Sequence, residues 1–169
     1  MRSGEKKYLE REKDLLLKIN HPNVIKLLTP EVLEGPLTPS EKISQISYIV
    51  LEYAEYGDIT EFIKKGFSTK IARYFFQQLI SAVETIHNLH ISHRDIKSSN
   101  LLIDNNMNLI LADFGLSELT KNATTGERIL LRNIIGTKYY LAPEVFLDGG
   151  KSYYSGEKND IYACGVVLF

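Results

Sequence analysis

The stretch "HRDIKSSN", His93 to Asn100, groups side chains whose chemistries are complementary. Asp95 carries a carboxylate that could accept a proton, and Lys97 brings an ammonium group that could neutralise phosphate oxygens. Asn100 adds an amide oxygen. Taken alone, an aspartate in such a stretch more often caps a turn than performs catalysis, so the surrounding residues must decide between the two roles.

A second oxygen-bearing side chain, Asp113, is brought close to Asn100 by a predicted hairpin. The stretch "NLLIDNNMNLILADF" indicates two short strands around an Asn-rich turn, with Asn100 and Asp113 at the two ends of the hairpin. Amide and carboxylate oxygens suit magnesium, which usually takes one or two protein carboxylates together with substrate phosphates. The pattern therefore predicts a magnesium site near Asp95.

Two predicted helices flank these groups in the sequence. Residues Tyr8 to Asn20 place Glu12 and several apolar residues on one helical face, and His21-Pro22 is expected to end the helix. A stronger pattern begins after a cap at Ser68 or Thr69 and repeats apolar residues at three- and four-residue steps. Its predicted buried face consists of Ile71, Phe75, Leu79, Val83, Ile86 and Leu89.

The remaining segments read as strands and loops. Residues 23–33 predict a short strand, and residues 46–54 predict a buried strand because they are rich in β-branched and aromatic side chains. Residues 34–44 hold two of the five prolines and indicate a loop, and Gly57 marks a turn. The polar stretch 115–140 is too long for an idle connection and predicts a functional loop.

Composition limits the classes of protein that fit. The chain has 169 residues with 44% hydrophobic side chains, 20 basic and 21 acidic side chains and a net charge of −1, so nucleic acid and anionic membranes are not expected partners. No apolar run approaches the roughly 18 residues of a membrane span, and no signal peptide is evident. Cys164 is the single cysteine, which favours an intracellular protein of the cytoplasm or nucleus.

Together the motifs resemble those of the eukaryotic protein kinases, of the serine/threonine type. The matching residues, in chain order, are His93-Arg94-Asp95, Lys97, Asn100, Asp113-Phe114-Gly115 and Ala142-Pro143-Glu144. Their order and spacing agree with the family, and nearly the whole chain can be aligned with it. The resemblance implies an α+β, bilobal kinase-like fold, with part of the small lobe in residues 1–51 and the hinge with part of a mainly helical large lobe in residues 52–169.

The resemblance also implies a reaction, the transfer of the γ-phosphate of ATP to serine or threonine hydroxyls of a protein, with Mg²⁺ as cofactor. Asp95 would accept or orient the proton of the substrate hydroxyl, and Lys97 would hold the γ-phosphate. Asn100 and Asp113 would bind the metal ions. Gly115 would allow the backbone turn behind Asp113.

Contacts to the nucleotide follow from the same resemblance. The backbones of Glu52 and Ala54 would meet adenine, and Leu51 would be the gatekeeper. Asp58 would reach the ribose, and Leu102 would pack below the base.

Three further residues have two readings each. Glu12 matches the helix glutamate that forms an ion pair beside ATP in the family, but its neighbour Glu10 competes for that role. His93 would have a structural role beside Phe114 in the family rather than act as a catalyst. Asp160 would either cap a helix or, as in kinases, brace the backbone of the catalytic loop, which here is the stretch His93 to Asn100.

In protein kinases, the loop that corresponds to residues 115–140 is called the activation loop. Thr137 stands where serine/threonine kinases contact the catalytic aspartate and lysine. Asn133 occupies the usual position of an activating phosphothreonine, which Arg94 would normally help to bind. We therefore expect either activation without phosphorylation at this position or the use of Thr124 or Thr125 instead.

Two family features are absent from the sequence. No Gly-x-Gly-x-x-Gly occurs, and the eleven residues before Glu12 leave no room for the strand that bears the ATP-binding lysine. Residues 1–169 are therefore expected to be a kinase fragment, truncated at both ends and inactive in isolation. The alternative is a non-catalytic kinase-like module, a pseudokinase or decoy that binds a partner, although the retention of Asp95, Asn100 and Asp113 argues mildly against it.

Overall fold

The computed structural model describes residues 3–35, 46–149 and 151–169, in which helices and short strands alternate. The helices of this part are α1 (Ser3–Leu16), α2 (Thr60–Lys65), α3 (Thr69–Asn88), α4 (Pro143–Phe146) and α5 (Gly156–Leu168). The strands are β1 (Leu33–Gly35), β2 (Ile46–Tyr48), β3 (Ile91–Ser92), β4 (Leu101–Ile103), β5 (Leu109–Leu111) and β6 (Glu118–Leu119). The predicted α+β class is confirmed.

Helix α3 forms where the sequence predicted the strongest helix. The Ser68 side chain accepts the amide hydrogen of Ile71 at 3.3 Å, so Ser68 rather than Thr69 is the N-cap. The buried face consists of Phe75, Leu79, Ala82, Val83 and Ile86. Two residues assigned to that face lie at its ends and remain exposed, Ile71 at 44% and Leu89 at 39%.

Strands β4 and β5 pair antiparallel and confirm the predicted hairpin. Its turn is organised by Asp104, whose Oδ1 accepts the amide hydrogens of Asn106 and Asn108 at 2.9 and 2.7 Å. At the open end of the hairpin, the Ala112 amide donates to the Asn100 carbonyl at 2.9 Å. The two predicted metal ligands, Asn100 and Asp113, are therefore close to each other along the paired backbones of the hairpin.

Helix α1 differs from its predicted bounds, because it occupies Ser3–Leu16 rather than residues 8–20. After the helix, the amides of Lys18 and Ile19 donate to carbonyls three residues earlier, at 3.0 and 3.1 Å. This is the tighter winding of a 3₁₀ turn, which often ends an α-helix. The helix thus ends at Leu16, six residues before Pro22, which was expected to stop it.

The strand predicted for residues 23–33 was wrong except for Leu33, which begins β1. In its place the structure has two isolated bridges, from Val24 to Leu111 and from Leu27 to Leu51, because the segment changes partner before a ladder can form. The strand predicted for residues 46–54 is shortened to β2, which pairs antiparallel with β1. Apart from its first two residues, the loop predicted for residues 34–44 lies outside the described residues.

Two apolar clusters hold these elements. The larger combines side chains from α1, α3, α5 and the hairpin, and its fully buried members include Leu79, Ile86, Ile91, Leu101, Leu111 and Phe114. The smaller one packs Leu131 and Tyr154 against the start of α4. Since β3 and β4 both lie in the larger core, the loop between them is anchored at both ends. No helix in the described ranges is long and apolar enough to cross a membrane.

Candidate active site

Asp95 lies at the centre of a closed hydrogen-bond network and is 6% exposed. Lys97 Nζ donates to Asp95 Oδ2 at 2.6 Å, while the hydroxyl and amide of Thr137 donate to Asp95 Oδ1 at 2.7 and 2.9 Å. Lys97 Nζ also donates to the Thr137 hydroxyl oxygen at 3.1 Å, which closes the triangle. The structure therefore brings together the three residues that the resemblance assigned to catalysis.

Asn100 faces the same carboxylate from the other side of the loop. Its Nδ2 donates to the Asp95 backbone carbonyl at 2.9 Å and to Asp95 Oδ2 at 3.2 Å. Because the amide nitrogen is used twice, the amide oxygen is the atom left for a ligand. The second predicted ligand, Asp113, is exposed, and in the described part its carboxylate accepts one hydrogen bond, from the Gly115 amide at 3.3 Å.

This donor set fits magnesium. One carboxylate and one amide supply hard oxygens, and substrate phosphates and waters complete such a coordination sphere. The described ranges contain no cluster of three or more His, Cys, Asp and Glu residues that could hold a metal by themselves. A metal at Asn100 and Asp113 would take its remaining ligands from substrate phosphates and water.

The backbone around Asp113 corrects one expectation. Asp113 itself has a φ of 66°, in the left-handed region, whereas Gly115 does not, so the prediction that Gly115 provides the turn was wrong. A Cβ on Gly115 would lie 3.3 Å from Asp113 Oδ1 and 3.8 Å from Glu12 Oε2. The glycine thus leaves space for the two carboxylates.

His93 is fully buried and has no nitrogen free for proton transfer. Its Nε2 lies 3.0 Å from the Ala112 carbonyl and must carry the hydrogen, while Nδ1 accepts the Asp95 amide hydrogen at 3.3 Å. The ring meets Phe114 edge-on with centroids 4.8 Å apart. Burial lowers the pKa of His93, which keeps the imidazole neutral. These contacts give His93 a structural role.

Asp160 in α5 braces the backbone of the catalytic loop. Its carboxylate is fully buried and accepts the amide hydrogens of His93 and Arg94, both at 2.8 Å, and a hydrogen bond from His87 Nε2 at 3.0 Å. The N-cap of α5 is Ser155, so Asp160 is not a helix cap. Of the two readings, the brace is the one observed.

The end of the activation loop lies directly against the catalytic loop. Gly136 has a φ of 115°, and a Cβ there would lie 2.4 Å from the Arg94 carbonyl oxygen, so no other residue fits without movement. Further along, Asn159 Oδ1 of α5 accepts the Ala142 amide hydrogen at 2.9 Å. Helix α5 thus holds both the catalytic loop and the Ala-Pro-Glu motif.

Geometry separates the two candidate glutamates of α1. Glu12 is half-buried beside Asp113, and burial followed by repulsion from Asp113 raises its pKa, partly offset by a hydrogen bond from the Phe114 backbone. Glu10 instead forms an ion pair with Lys13 at 2.5 Å on the helix surface. Within the described residues Glu12 has no cationic partner. Of the two, Glu12 is the one that lies at the site.

The predicted adenine-binding segment contains backbone groups that no backbone hydrogen bond of the described residues uses. The Glu52 amide donates to the Lys26 carbonyl at 2.9 Å, and the Glu52 carbonyl accepts no backbone hydrogen bond from the described residues. The Ala54 amide donates no hydrogen bond within the described part. Leu51 is bridged to Leu27 and is partly buried against the core. The order of the Glu52 carbonyl and the Ala54 amide suits the edge of a purine base.

Asp58 and Leu102 are brought together by a backbone bridge. Asp58 Oδ1 accepts the Thr60 amide hydrogen at 2.8 Å at the start of α2, and hydrogen bonds from the Thr60 side chain and backbone lower the pKa of Asp58. Leu102 is partly buried against the main core. At least part of the Asp58 carboxylate is therefore engaged in local structure at the start of α2.

Sequence reasoning missed a charged cluster beside the catalytic loop. Glu118 of β6 forms an ion pair with Arg11 of α1, and its Oε2 lies 3.7 Å from Nη1 of Arg94. The three residues are far apart in the chain, and none of the spacings in the sequence signals their contact. Asn159 was missed for the same reason.

Comparison with known proteins agrees with this geometry. A family model described as "Protein kinase domain" matches residues 1–169. The chain is similar to CBL-interacting protein kinase 26 of Oryza sativa subsp. japonica, with 41% identity over 162 residues, which is 95% of this chain and 30% of that protein. It is 39% identical over 170 residues to CBL-interacting serine/threonine-protein kinase 19 of Arabidopsis thaliana, covering 100% of this chain and 32% of that protein.

The chain thus spans about a third of the length of the curated relatives it matches. The relatives are named as kinases, and the second is named as a serine/threonine-protein kinase. The family model covers the whole chain, and Lys97, Asn100 and Thr137 contact Asp95. The chain therefore belongs to the protein kinase family.

Proposed function

We propose that this chain carries the catalytic centre of an ATP-dependent protein serine/threonine kinase. The observation that supports it best is the closed contact among Asp95, Lys97 and Thr137, with Asn100 attached to the same carboxylate. Four hydrogen bonds fix the position of the Asp95 carboxylate, and phosphoryl transfer depends mainly on such positioning.

In this proposal a substrate hydroxyl oxygen forms a bond to the γ-phosphorus, the bond from that phosphorus to the β–γ bridging oxygen breaks, and ADP leaves. Asp95 orients the hydroxyl and receives its proton. Lys97 lies within 2.6 Å of Asp95 and places an ammonium group where it can neutralise the transferred phosphate. When bound by Asn100 and Asp113, Mg²⁺ would neutralise charge on the phosphates.

Serine and threonine are the proposed acceptors because of Lys97 and Thr137. The pair occupies the positions that differ between serine/threonine and tyrosine kinases, and both side chains touch Asp95. The name of the Arabidopsis relative points the same way. The substrate is accordingly a protein with an accessible serine or threonine.

We place ATP between the two proposed lobes, residues 1–51 and 52–169. The Glu52 carbonyl and Ala54 amide would face adenine, Leu51 and Leu102 would enclose the base, and Asp58 would reach the ribose. ATP as the donor, and the single, buried Cys164, support an intracellular setting, in the cytoplasm or nucleus.

One observation limits what residues 1–169 do by themselves. Glu12 faces Asp113 without a cation in the described residues, so the ion pair that would orient ATP phosphates is incomplete. We therefore propose that residues 1–169 alone transfer little phosphate. The same observation favours the second candidate, a non-catalytic kinase-like module that binds a partner.

The test uses the complete polypeptide that contains residues 1–169, γ-labelled ATP and a mixed basic protein substrate. We expect Mg²⁺-dependent labelling of serine or threonine, and Asp95→Asn is expected to reduce kcat by about 10²- to 10⁴-fold, the range typical of acid–base groups. Asp14→Asn changes an exposed aspartate of α1 and serves as the matched control.

Labelling that Asp95→Asn leaves unchanged, or that falls on tyrosine, would refute this assignment. A wild-type polypeptide that neither labels substrate nor binds Mg-ATP would support the non-catalytic module. Robust Asp95-dependent labelling by residues 1–169 alone would contradict the proposal of low activity for that segment.

A further inference from the structure

Glu118 joins two parts of the proposed site that are far apart in the sequence. Its strand, β6, pairs with β3 so that Glu118 stands opposite Ser92, at the entrance to the catalytic loop. On its other side, Arg11 forms an ion pair with Glu118 Oε1 and donates to the Ser117 carbonyl at 2.8 Å. Helix α1 is thereby tied to β6.

Arg94 is the second cation at Glu118. Arg94 is 6% exposed, and its backbone has a φ of 71°. The guanidinium nitrogen Nη1 of Arg94 lies 3.7 Å from Glu118 Oε2. A buried guanidinium needs a counter-charge, since an isolated charge in the interior is costly. Among the ion pairs of the described residues, Glu118 supplies the one that reaches Arg94. Its buried Nε finds no hydrogen-bond partner there.

Neutral Asn133 occupies the usual phosphate position on the activation loop. Hydrogen bonds to Tyr154 fix the backbone of the loop at and near this residue. The Tyr154 hydroxyl donates to the Asn133 carbonyl at 2.9 Å. Nearby, Leu131 and Tyr154 exchange two backbone hydrogen bonds of 2.8 Å. The loop is therefore docked at this point by contacts that require no phosphate.

The alternative phosphate acceptors lie on a separate turn. The amides of Thr124 and Thr125 donate to Asn122 Oδ1 at 2.8 and 3.0 Å, and Thr125 contacts Glu127. Neither threonine contacts Arg94 in the described part of the chain. The anionic group that lies beside Arg94 is the carboxylate of Glu118.

We propose that Glu118 acts as a permanent anion that holds Arg11 and Arg94 together, so that the site is ordered without a phosphate on the activation loop. A carboxylate and a phosphate bind guanidinium groups by the same charge-assisted chemistry. Glu118 is a positioning residue, because it links the helix of Glu12 to the loop of Asp95 and would act through Arg11 and Arg94. The regulatory part of this proposal rests on the proposed kinase function.

The first experiment measures kinetics of the complete polypeptide before and after treatment with a protein phosphatase. Wild-type kcat is expected to survive the treatment. Glu118→Gln should lower kcat by roughly 5- to 150-fold, the range typical of coupling between sites, with KM for ATP little changed. Glu118→Asp keeps the charge and should restore part of the activity. Glu127→Gln, an exposed acidic residue of the same loop, should match wild type.

The second experiment does not need catalysis. Amide hydrogen exchange of the complete polypeptide should become faster in α1 and in residues 93–97 with Glu118→Gln, but not with Glu127→Gln. Exchange in α3 should stay unchanged in both variants, which excludes general unfolding as the cause.

The outcomes separate the two proposals. Loss of wild-type activity after phosphatase, or Glu118→Gln behaving as Glu127→Gln in both experiments, overturns the role of Glu118. A wild-type polypeptide without Asp95-dependent activity counts against the proposed function alone, and amide exchange then still decides whether Glu118 links α1 to the catalytic loop.

Discussion

Glu12 shows how a functional position can cost stability. The carboxylate is half-buried, and both desolvation and the nearby Asp113 raise its pKa. A carboxyl group whose pKa is raised on folding contributes stability below its unfolded pKa, near 4.5, and loses that contribution as pH rises through the folded value. At neutral pH the ionised Glu12 is therefore destabilising in residues 1–169.

Glu12→Gln should raise the thermal midpoint of residues 1–169 at pH 7. Partial exposure keeps the gain small, on the order of 2 °C, and the gain should shrink as pH is lowered towards about 4.5. Calorimetric scans across this pH range measure it. Glu10→Gln is the matched control, since it loses an ion pair with Lys13 and relieves no burial. An equal or lower midpoint for Glu12→Gln at pH 7 would contradict the prediction.

At the scale of elements, α5 supports the site through one carboxylate. Asp160 accepts three hydrogen bonds, from the amides of His93 and Arg94 and from His87. An asparagine has the same shape but presents an NH₂ group in place of one oxygen, so at least one of these donors would face another donor. The catalytic loop would then lose part of its anchorage.

Asp160→Asn is therefore expected to lower the free energy of unfolding by roughly 2–3 kcal/mol, the cost of an unsatisfied buried donor next to a lost charge. Urea denaturation measures the change. Asp14→Asn alters a side chain that is 64% exposed and should stay within about 0.5 kcal/mol of wild type. Equal losses in the two variants would show that Asp160 does not brace the loop.

The elements that could be predicted from sequence are those held by local interactions. Helix α3 has its Ser68 cap and apolar period within one segment, and the β4–β5 hairpin has its Asp104 turn. The bridges of Val24 and Leu27 could not be predicted, because their partners, Leu111 and Leu51, are distant in the chain. Of the site, the resemblance to protein kinases implied that Lys97 and Thr137 contact Asp95, but not the contacts made by Glu118 and Asn159.

At the scale of the whole molecule, the main core joins side chains of α1, α3 and α5 with those of the β4–β5 hairpin. His93 sits in this core beside Phe114, with both ring nitrogens bonded. Its burial lowers its pKa from 6.5, against a smaller opposing effect of the surrounding aspartates Asp160, Asp113 and Asp95. Protonation of the His93 ring therefore favours the unfolded chain.

The sign of the resulting pH effect is fixed. A histidine whose pKa is lowered on folding binds its proton more readily in the unfolded chain. The free energy of unfolding therefore falls as pH drops below about 6.5. The slope for one proton is at most about 1.4 kcal/mol per pH unit. His21, whose pKa is also lowered by its smaller burial, adds in the same direction. Urea denaturation of residues 1–169 between about pH 8 and 5 measures the slope. His93→Gln should flatten it, whereas His90→Gln, which changes an exposed histidine, should not; identical slopes in all three proteins would mean that His93 is not kept neutral by the fold.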